Sequence, residues 1–472
     1  MSEASGFDRR MFLRAAGVAA GAVALGGAGA LLTGEADAKR VKQPRQPSWP
    51  DKNLIQFPPV VDVASLSAPY ELTARNATVN IGGGQMASIW SYDGRMPGPT
   101  FFARTGDNVR INLLNELAQD HITHWHGLVA PYEDDGHPMS QVPTGSSYSY
   151  DFPIVQRASL NFYHPHTDMM TGEQVAMGMA GGFLIRDDEE VALGLPSGER
   201  EVPLVLRDAT LDASSNMKFS GASKGFFGTF PLVNGIQDAY MRVHQAVYRF
   251  RILAGTNARV WQLKLSNDAA FTLIGNDGGL LASSTQVARL DLSPGERADV
   301  LIDFRQMPVG TQLLLQDVGT GWDLLGFLVS RSASDPYVLP TTLSTIAPLS
   351  NPVRTRTFTF DGMSAINGLS YDMHRVDFQV PLGDTERWVF SSGGSGPHPV
   401  HVHGASFQVI SRTGGRGQLY PWESGWKDTV LLEDNETVEI LIRFEHYRSL
   451  YLIHCHQLGH EDGGMMSNFE VV

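Results

Sequence analysis

The sequence contains a single cysteine, Cys455, flanked by His454 and His456 near the end of a 472-residue chain. His460 follows five residues later and Met465 ten residues later. The preceding run Tyr451, Leu452, Ile453 is apolar and reads as a buried strand. Side chains alternate faces along a strand, so Cys455 points one way and its two histidine neighbours the other. One short segment can then serve two metal sites joined by a few covalent bonds. Thiolate, imidazole and a weak thioether are the donors of a blue-copper electron-transfer site, which needs a second histidine from elsewhere. Without such partners, a buried cysteine would be only a small core hydrophobe.

Ten of the 15 histidines fall in four short motifs: His124 with His126, His164 with His166, His398 with His401 and His403, and His454 with His456 and His460. A His-x-His pair on a strand turns both imidazoles to one face, within reach of one metal cluster. Eight imidazoles are the right number for three metals with positions left open for a small ligand. Imidazole without carboxylate partners favours copper or zinc over calcium or magnesium. Zinc would fit a hydrolase but leaves the Cys, His, His, Met set unexplained, whereas a redox copper accounts for it.

The elements that carry these motifs repeat three times. Each copy has a Gly-Asp or related turn before a strand (at 106, 245 and 383), then a strand ending in a small-residue turn at Gly127, Gly275 or Gly404. A strand ending near Phe152, Phe304 or Phe444 follows, and a last strand closes the unit. Alternation of polar and apolar residues marks half-buried antiparallel strands. With Gly 49 and Pro 26 to supply turns, the expected fold is all-β, as three consecutive β-sandwich domains at 51–190, 191–350 and 351–472. The acidic run at 187–190 reads as a solvated turn, and residues 336–352 as a linker. The middle copy lacks the histidine pairs and carries only His244, which marks it as a spacer or wall.

Residues 1–38 read as a signal peptide. Arg9 and Arg10 form a twin-arginine pattern, residues 15–32 are weakly apolar, and Ala36 to Ala38 offer a small-residue cleavage site. The expectation is export of the folded chain by the twin-arginine machinery to the periplasm or beyond, with residues 39–50 as a flexible leader. No other run is long and apolar enough to span a bilayer. The formal charge of −14, without a basic patch, argues against nucleic acid as a partner. With one cysteine there is no intramolecular disulfide.

The four histidine motifs resemble those of the multicopper oxidases, specifically the three-domain bacterial laccase and copper-efflux oxidase branch. The flanking stretches 163–168, 174–181, 425–429 and 460–466 extend the similarity over nearly the whole mature chain. The resemblance implies cupredoxin-like Greek-key sandwiches and four copper ions. It places a type 1 copper on His398, Cys455, His460 and Met465, and a type 2 copper on His124 and His401. The type 3 pair falls to His126, His164, His166, His403, His454 and His456. It further implies that O₂ is reduced to water at the three-copper cluster, with electrons collected singly at the type 1 site. Glu461 and Asp135 match the family's proton-supplying acids by spacing.

The electron donor is less legible. Copper-efflux members hold Cu(I) with a Met-rich insert and with an Asp and a Met before the first type 1 histidine. Here Gly394 and Gly396 occupy those places, and residues 331–357 contain no methionine. Met363 and Met373 read as core gap-fillers. The glycines imply an open approach to an exposed His398 edge, suited to phenols, aromatic amines or pigments. A cuprous oxidase for copper tolerance is the alternative, and a copper-free relative acting in cell-envelope assembly is a third reading. Replacing Cys455 with Ser is expected to abolish a blue absorbance band and donor oxidation without unfolding the chain. Retained colour would refute the ligand assignment.

Overall fold

The computed structural model describes residues 52–221 and 225–472. The expected signal peptide and leader lie outside the described residues. Among the described residues the strands form six sheets, packed in pairs as three β-sandwiches. Alternation of side chains makes this packing possible. In Asn108–Asn115 every second residue is buried, so Val109, Ile111 and Leu113 enter one core. Thr385–Ser392 does the same with Trp388 and Phe390. Burying each such side chain contributes roughly 1.5–3 kcal/mol, which is what holds the sheets face to face.

The outer sandwiches each hold their histidines on neighbouring strands of a five-stranded sheet. In the first the strand order is Val60–Asp62, Thr100–Arg104, Gly181–Arg186, Ser159–Pro165, Thr123–His126. Its edge pair is in a register that sets His124 opposite His164. In the third the order is Val376–Val380, Met466–Val471, Leu450–Cys455, His398–Val402, Thr429–Leu432. There His401 lies opposite His454, and Val400 opposite Cys455. A slip of one residue would turn each histidine pair to the wrong face, so this register decides whether a site can form at all.

The middle sandwich has two six-stranded sheets and is stitched to both neighbours. Asn53–Leu54, expected with the first sandwich, pairs instead with Ala239 and Tyr240 of the middle one. Trp422, from the third segment, enters the middle core. Residues 332–353 form no strand or helix and lie along the middle sandwich, with Leu343 buried beside Val247 and Ile274.

The acidic run at 187–190 corrects the expectation of a solvated turn. Asp187 caps the short helix Asp188–Ala192 by accepting from the Glu190 N–H, and this turns Glu190 inward. Its carboxylate pairs with Arg186, Arg249 and Arg251, all buried. Val247–Ala254 is buried along its whole length because Tyr248, Phe250 and Ile252 face the core while the two arginines meet this acid. A buried cation without its partner costs several kcal/mol, so the pairing ties the acid and the arginine strand firmly together.

His137 joins the first and third sandwiches. Its Nε2 donates to Asn468 Oδ1 at 3.0 Å, while Nδ1 accepts from the Met139 N–H at 3.2 Å. Burial lowers its pKa to about 4. Below about pH 6.5 the unfolded chain takes up a proton that the folded chain refuses, so stability is lost as pH falls from there toward 4. The cost at pH 5 is about 2 kcal/mol. Replacing His137 with Gln, which still donates but does not titrate, is expected to reduce the stability lost between pH 7 and 5, measured by denaturant unfolding, by about 2 kcal/mol. An unchanged loss would contradict the assignment.

Candidate metal centres

Strand Leu450–Cys455 ends between two donor sites. Cys455 Sγ lies 3.6 Å from His398 Nδ1 and 3.6 Å from His460 Nδ1, and the two Nδ1 atoms are 3.2 Å apart. Three donors around one ion at roughly 2.0–2.3 Å each would be spaced like this. His460 reaches the site because Leu458–Asp462 is a short helix opened by Gln457, whose side chain accepts from the His460 N–H. Met465 is fully buried in the same core, its carbonyl accepting from the Cys455 N–H at 3.1 Å. Burial pushes the Cys455 thiol pKa up and lowers His398 and His460 to about 4 and about 3. A bound cation would reverse the thiol's preference, because only the thiolate is a strong ligand.

The expected open approach to an exposed His398 edge is not found. His398 is 0% exposed, and Ser395 Oγ lies 3.1 Å from its Nε2. The glycines at 394 and 396 instead let the loop fold over the ring, with Gly396 N–H donating to Asp434 at 2.6 Å. Met363 and Met373, expected as gap-fillers, are only half-buried and belong to none of the cores.

On the opposite face of the same strand, His454 and His456 join six other imidazoles. His124 and His126 stack on His403 and His401, with ring centroids 3.9 and 3.7 Å apart. Ring nitrogens converge: His403 Nε2 lies 3.0 Å and His166 Nε2 3.4 Å from His454 Nε2, and His456 Nε2 lies 3.4 Å from His164 Nε2. The outward nitrogens of several rings are anchored. His124 Nδ1 donates to the Asp135 carbonyl (2.6 Å), His401 Nδ1 to the Asp428 carbonyl (2.9 Å), His164 Nδ1 to the Pro165 carbonyl (2.8 Å) and His403 Nδ1 to Asp135 Oδ2 (2.7 Å). An imidazole that donates from one nitrogen leaves a bare lone pair on the other, the state a metal requires.

That requirement is met. His124 Nε2, His401 Nε2 and His126 Nδ1 are buried without any hydrogen-bond partner, a costly condition unless a ligand accepts them. Burial first, and then the neighbouring imidazoles, hold His124, His126, His166, His401, His403 and His456 well below their usual pKa. Three neutral-nitrogen groups converge closely enough to share an ion: His124 with His401 and His403, His124 with His126 and His164, and His166 with His403 and His454. The chemistry of the residues therefore fits several soft or borderline cations.

Two acids adjoin the cluster. Asp135 is buried, and burial raises its carboxyl well above the usual range. Its Oδ1 has no hydrogen-bond partner. Glu461 lies with one oxygen 3.1 Å from His454 Nδ1 and the other 3.6 Å from His166 Nδ1, and neither oxygen is hydrogen-bonded. A third acid, Asp428, was not singled out from the sequence. Its Oδ1 is 3.0 Å from His126 Nε2, and its place beside Thr429 in a stretch of family likeness was the only signal. A cavity of about 220 Å³ opens where the three sandwiches meet, lined by Gly127, Asn161, Asp277, Gly404 and Trp426. It abuts a narrow cleft that reaches His124 and His401.

Three cupredoxin-like sandwiches, with one thiol–imidazole site tied through a single strand to a shared polyimidazole cluster, define a class of copper-dependent oxidases. Models of the multicopper oxidase family match residues 73–190 and 340–472. A multicopper oxidase of Staphylococcus haemolyticus is 30% identical over 443 residues, covering 89% of this chain and 93% of its own. A cell division protein FtsP of Photorhabdus laumondii is 30% identical over 471 residues, covering 94% of this chain and 95% of its own. The laccase of Pediococcus acidilactici Pa5930 superposes with a TM-score of 0.84 at 32% identity, covering 89% of this chain and 94% of that one. The chain belongs to the multicopper oxidase family and is an oxidoreductase that uses oxygen.

Gly295, from the middle sandwich, packs directly on the cluster. A Cβ there would sit 3.0 Å from His126 Cε1 and 3.1 Å from His456 Cδ2, on a backbone with φ of +84°. Gly295→Ala is expected to destabilise the chain by about 1–2 kcal/mol from the left-handed backbone alone, and to lower the copper bound per chain. Unchanged copper content and unfolding midpoint would show that the rings have room to move.

Proposed function

We propose that this protein is a laccase-like oxidase that takes single electrons from phenolic or other aromatic donors at the Cys455 site and delivers them to O₂ at the histidine cluster. The observation that carries the reading is the placement of Cys455 between His398 and His460 while its two sequence neighbours lie in the cluster. His398, Cys455, His460 and Met465 would hold a type 1 copper, and His124 and His401 a type 2 copper. His126, His164 and His456 would hold one type 3 ion, and His166, His403 and His454 the other. When bound, the four copper ions supply one-electron acceptance at the thiolate and four-electron reduction of O₂ to water at the cluster.

The chain's own residues do the rest. The backbone from Cys455 to His454 and His456 makes a short covalent bridge between the sites. Glu461, between His454 and His166 with both oxygens free of hydrogen bonds, is placed to hold and deliver a proton at its carboxylate. Asp135 holds a second proton beside His403. Ser395 over His398 and Gln457 at 3.0 Å from His460 Nε2 limit how closely a donor approaches the rings. Export by the twin-arginine route after folding, with loss of residues 1–38, is part of the same reading and is supported by Arg9 and Arg10. Among the described residues no helix is long and apolar enough to cross a membrane.

The kinship with FtsP keeps a copper-free envelope role in view, but the full set of donor residues weighs against it. A purified sample should show a blue band. Turnover of a substituted phenol should exceed turnover of Cu(I), with or without added Cu(II). The reverse order would favour the cuprous oxidase. Glu461→Gln is expected to slow O₂ consumption by about 100-fold or more, while donor still bleaches the blue band at the parent rate. Equal O₂ consumption would remove Glu461 from proton delivery.

A further inference from the structure

We infer that Arg297, on the middle sandwich, is a positioning residue for the histidine cluster, acting through Asp428. The inference rests on the reading of the eight imidazoles as a copper cluster. It gives the middle sandwich, expected as a spacer or wall, a part in ordering the cluster.

Arg297 is 1% exposed and begins the strand Arg297–Asp303. A guanidinium has five N–H donors in a fixed fork, and each has an acceptor here. Nε donates to the Leu160 carbonyl of the first sandwich at 2.9 Å. One terminal nitrogen donates to the Gly295 carbonyl (2.9 Å) and Asp428 Oδ1 (2.7 Å). The other donates to the Asp277 carbonyl (3.1 Å) and Asp428 Oδ2 (2.5 Å). One planar group thus engages all three sandwiches and grips both oxygens of a carboxylate from the third.

Asp428 passes that constraint to two imidazoles. His126 Nε2 meets its Oδ1 at 3.0 Å, and His401 Nδ1 donates to its backbone carbonyl at 2.9 Å. Thr429 Oγ1 also donates to Oδ1 at 2.9 Å, which fills the remaining direction. With those nitrogens engaged outward, His126 Nδ1 and His401 Nε2 are the bare, inward-facing ones. The two rings come from different sandwiches and stack at 12°. Asp428 thereby selects which nitrogen each ring presents, and Arg297 holds Asp428 in the only place where it can serve both. Gly127 lacks a side chain at this point, where a Cβ would fall 2.7 Å from Arg297 and 2.9 Å from Asp428.

A lysine keeps the charge but cannot fork two oxygens. The full chain, loaded with copper, is compared as parent, Arg297→Lys and Asp428→Asn. Both variants are expected to keep the parent's blue absorbance per chain. Each should lose the remaining copper to a chelator about 10-fold more readily, the usual scale for removing a partner behind a metal-bound imidazole, and the type 2 EPR splitting should change. Arg249→Lys, in the ion network around Glu190 away from the imidazoles, should lower stability without altering that splitting. If Arg297→Lys retains copper and the parent EPR signature, the inference is overturned, even if stability falls, because Arg297 would then be interface glue alone. If Asp428→Asn fails to fold, Arg297→Lys decides by the same readouts. A parent with no copper beyond the blue site would instead refute the cluster reading, and this inference with it.

Discussion

Eight imidazoles packed together are tolerable only if they are uncharged and their lone pairs face inward. Everything else in this chain follows from that requirement. A ring placed here is desolvated, and to present a bare lone pair inward it needs an acceptor for its outward N–H. For four of the rings, His124, His164, His401 and His403, carbonyls of Asp135, Pro165 and Asp428 and the carboxylate of Asp135 supply those acceptors. They stand on loops beside the histidine strands, so the loops as well as the strands are fixed by the cluster.

The same requirement explains why three sandwiches are needed where two carry the donors. The outer sandwiches each offer two neighbouring strands with paired histidines, and the two sheets leave a gap between them. The middle sandwich fills it with Gly295 against the rings and with Arg297 between the strands. Its further attachment through the buried ions at Glu190, and through Lys427 with Asp277 and Glu296, makes the gap a fixed distance. Buried ion pairs of this kind add little net stability, but breaking one is costly, so they specify one arrangement of the sandwiches.

The Cys455 site obeys a different logic. Its thiol is forced toward the protonated state by burial, and its two imidazoles toward the neutral state, so without a cation the three groups gain little from one another. Ser395 and Gln457 sit over the outward ring edges. The site is therefore covered, and the covering residues lie on loops.

The sequence alone was enough to group the histidines and Cys455 into candidate donor sets and to set the expectation of three sandwiches. Strand alternation converts the spacing of His124 and His126, or of His454, Cys455 and His456, directly into faces. The repeat of strand and turn residues sets the three-fold build. Local rules of this kind act over a few residues and survive any tertiary arrangement. Contacts between residues far apart in the chain were decided only by the folded structure. Glu190 looked like a surface acid until the arginines of Val247–Ala254 turned toward it. The glycines at 394 and 396 looked like an opening until the loop closed over His398. Asp428 and Arg297, 131 residues apart, have no common signal in the chain, because their value comes from a meeting of three sandwiches that no local pattern encodes.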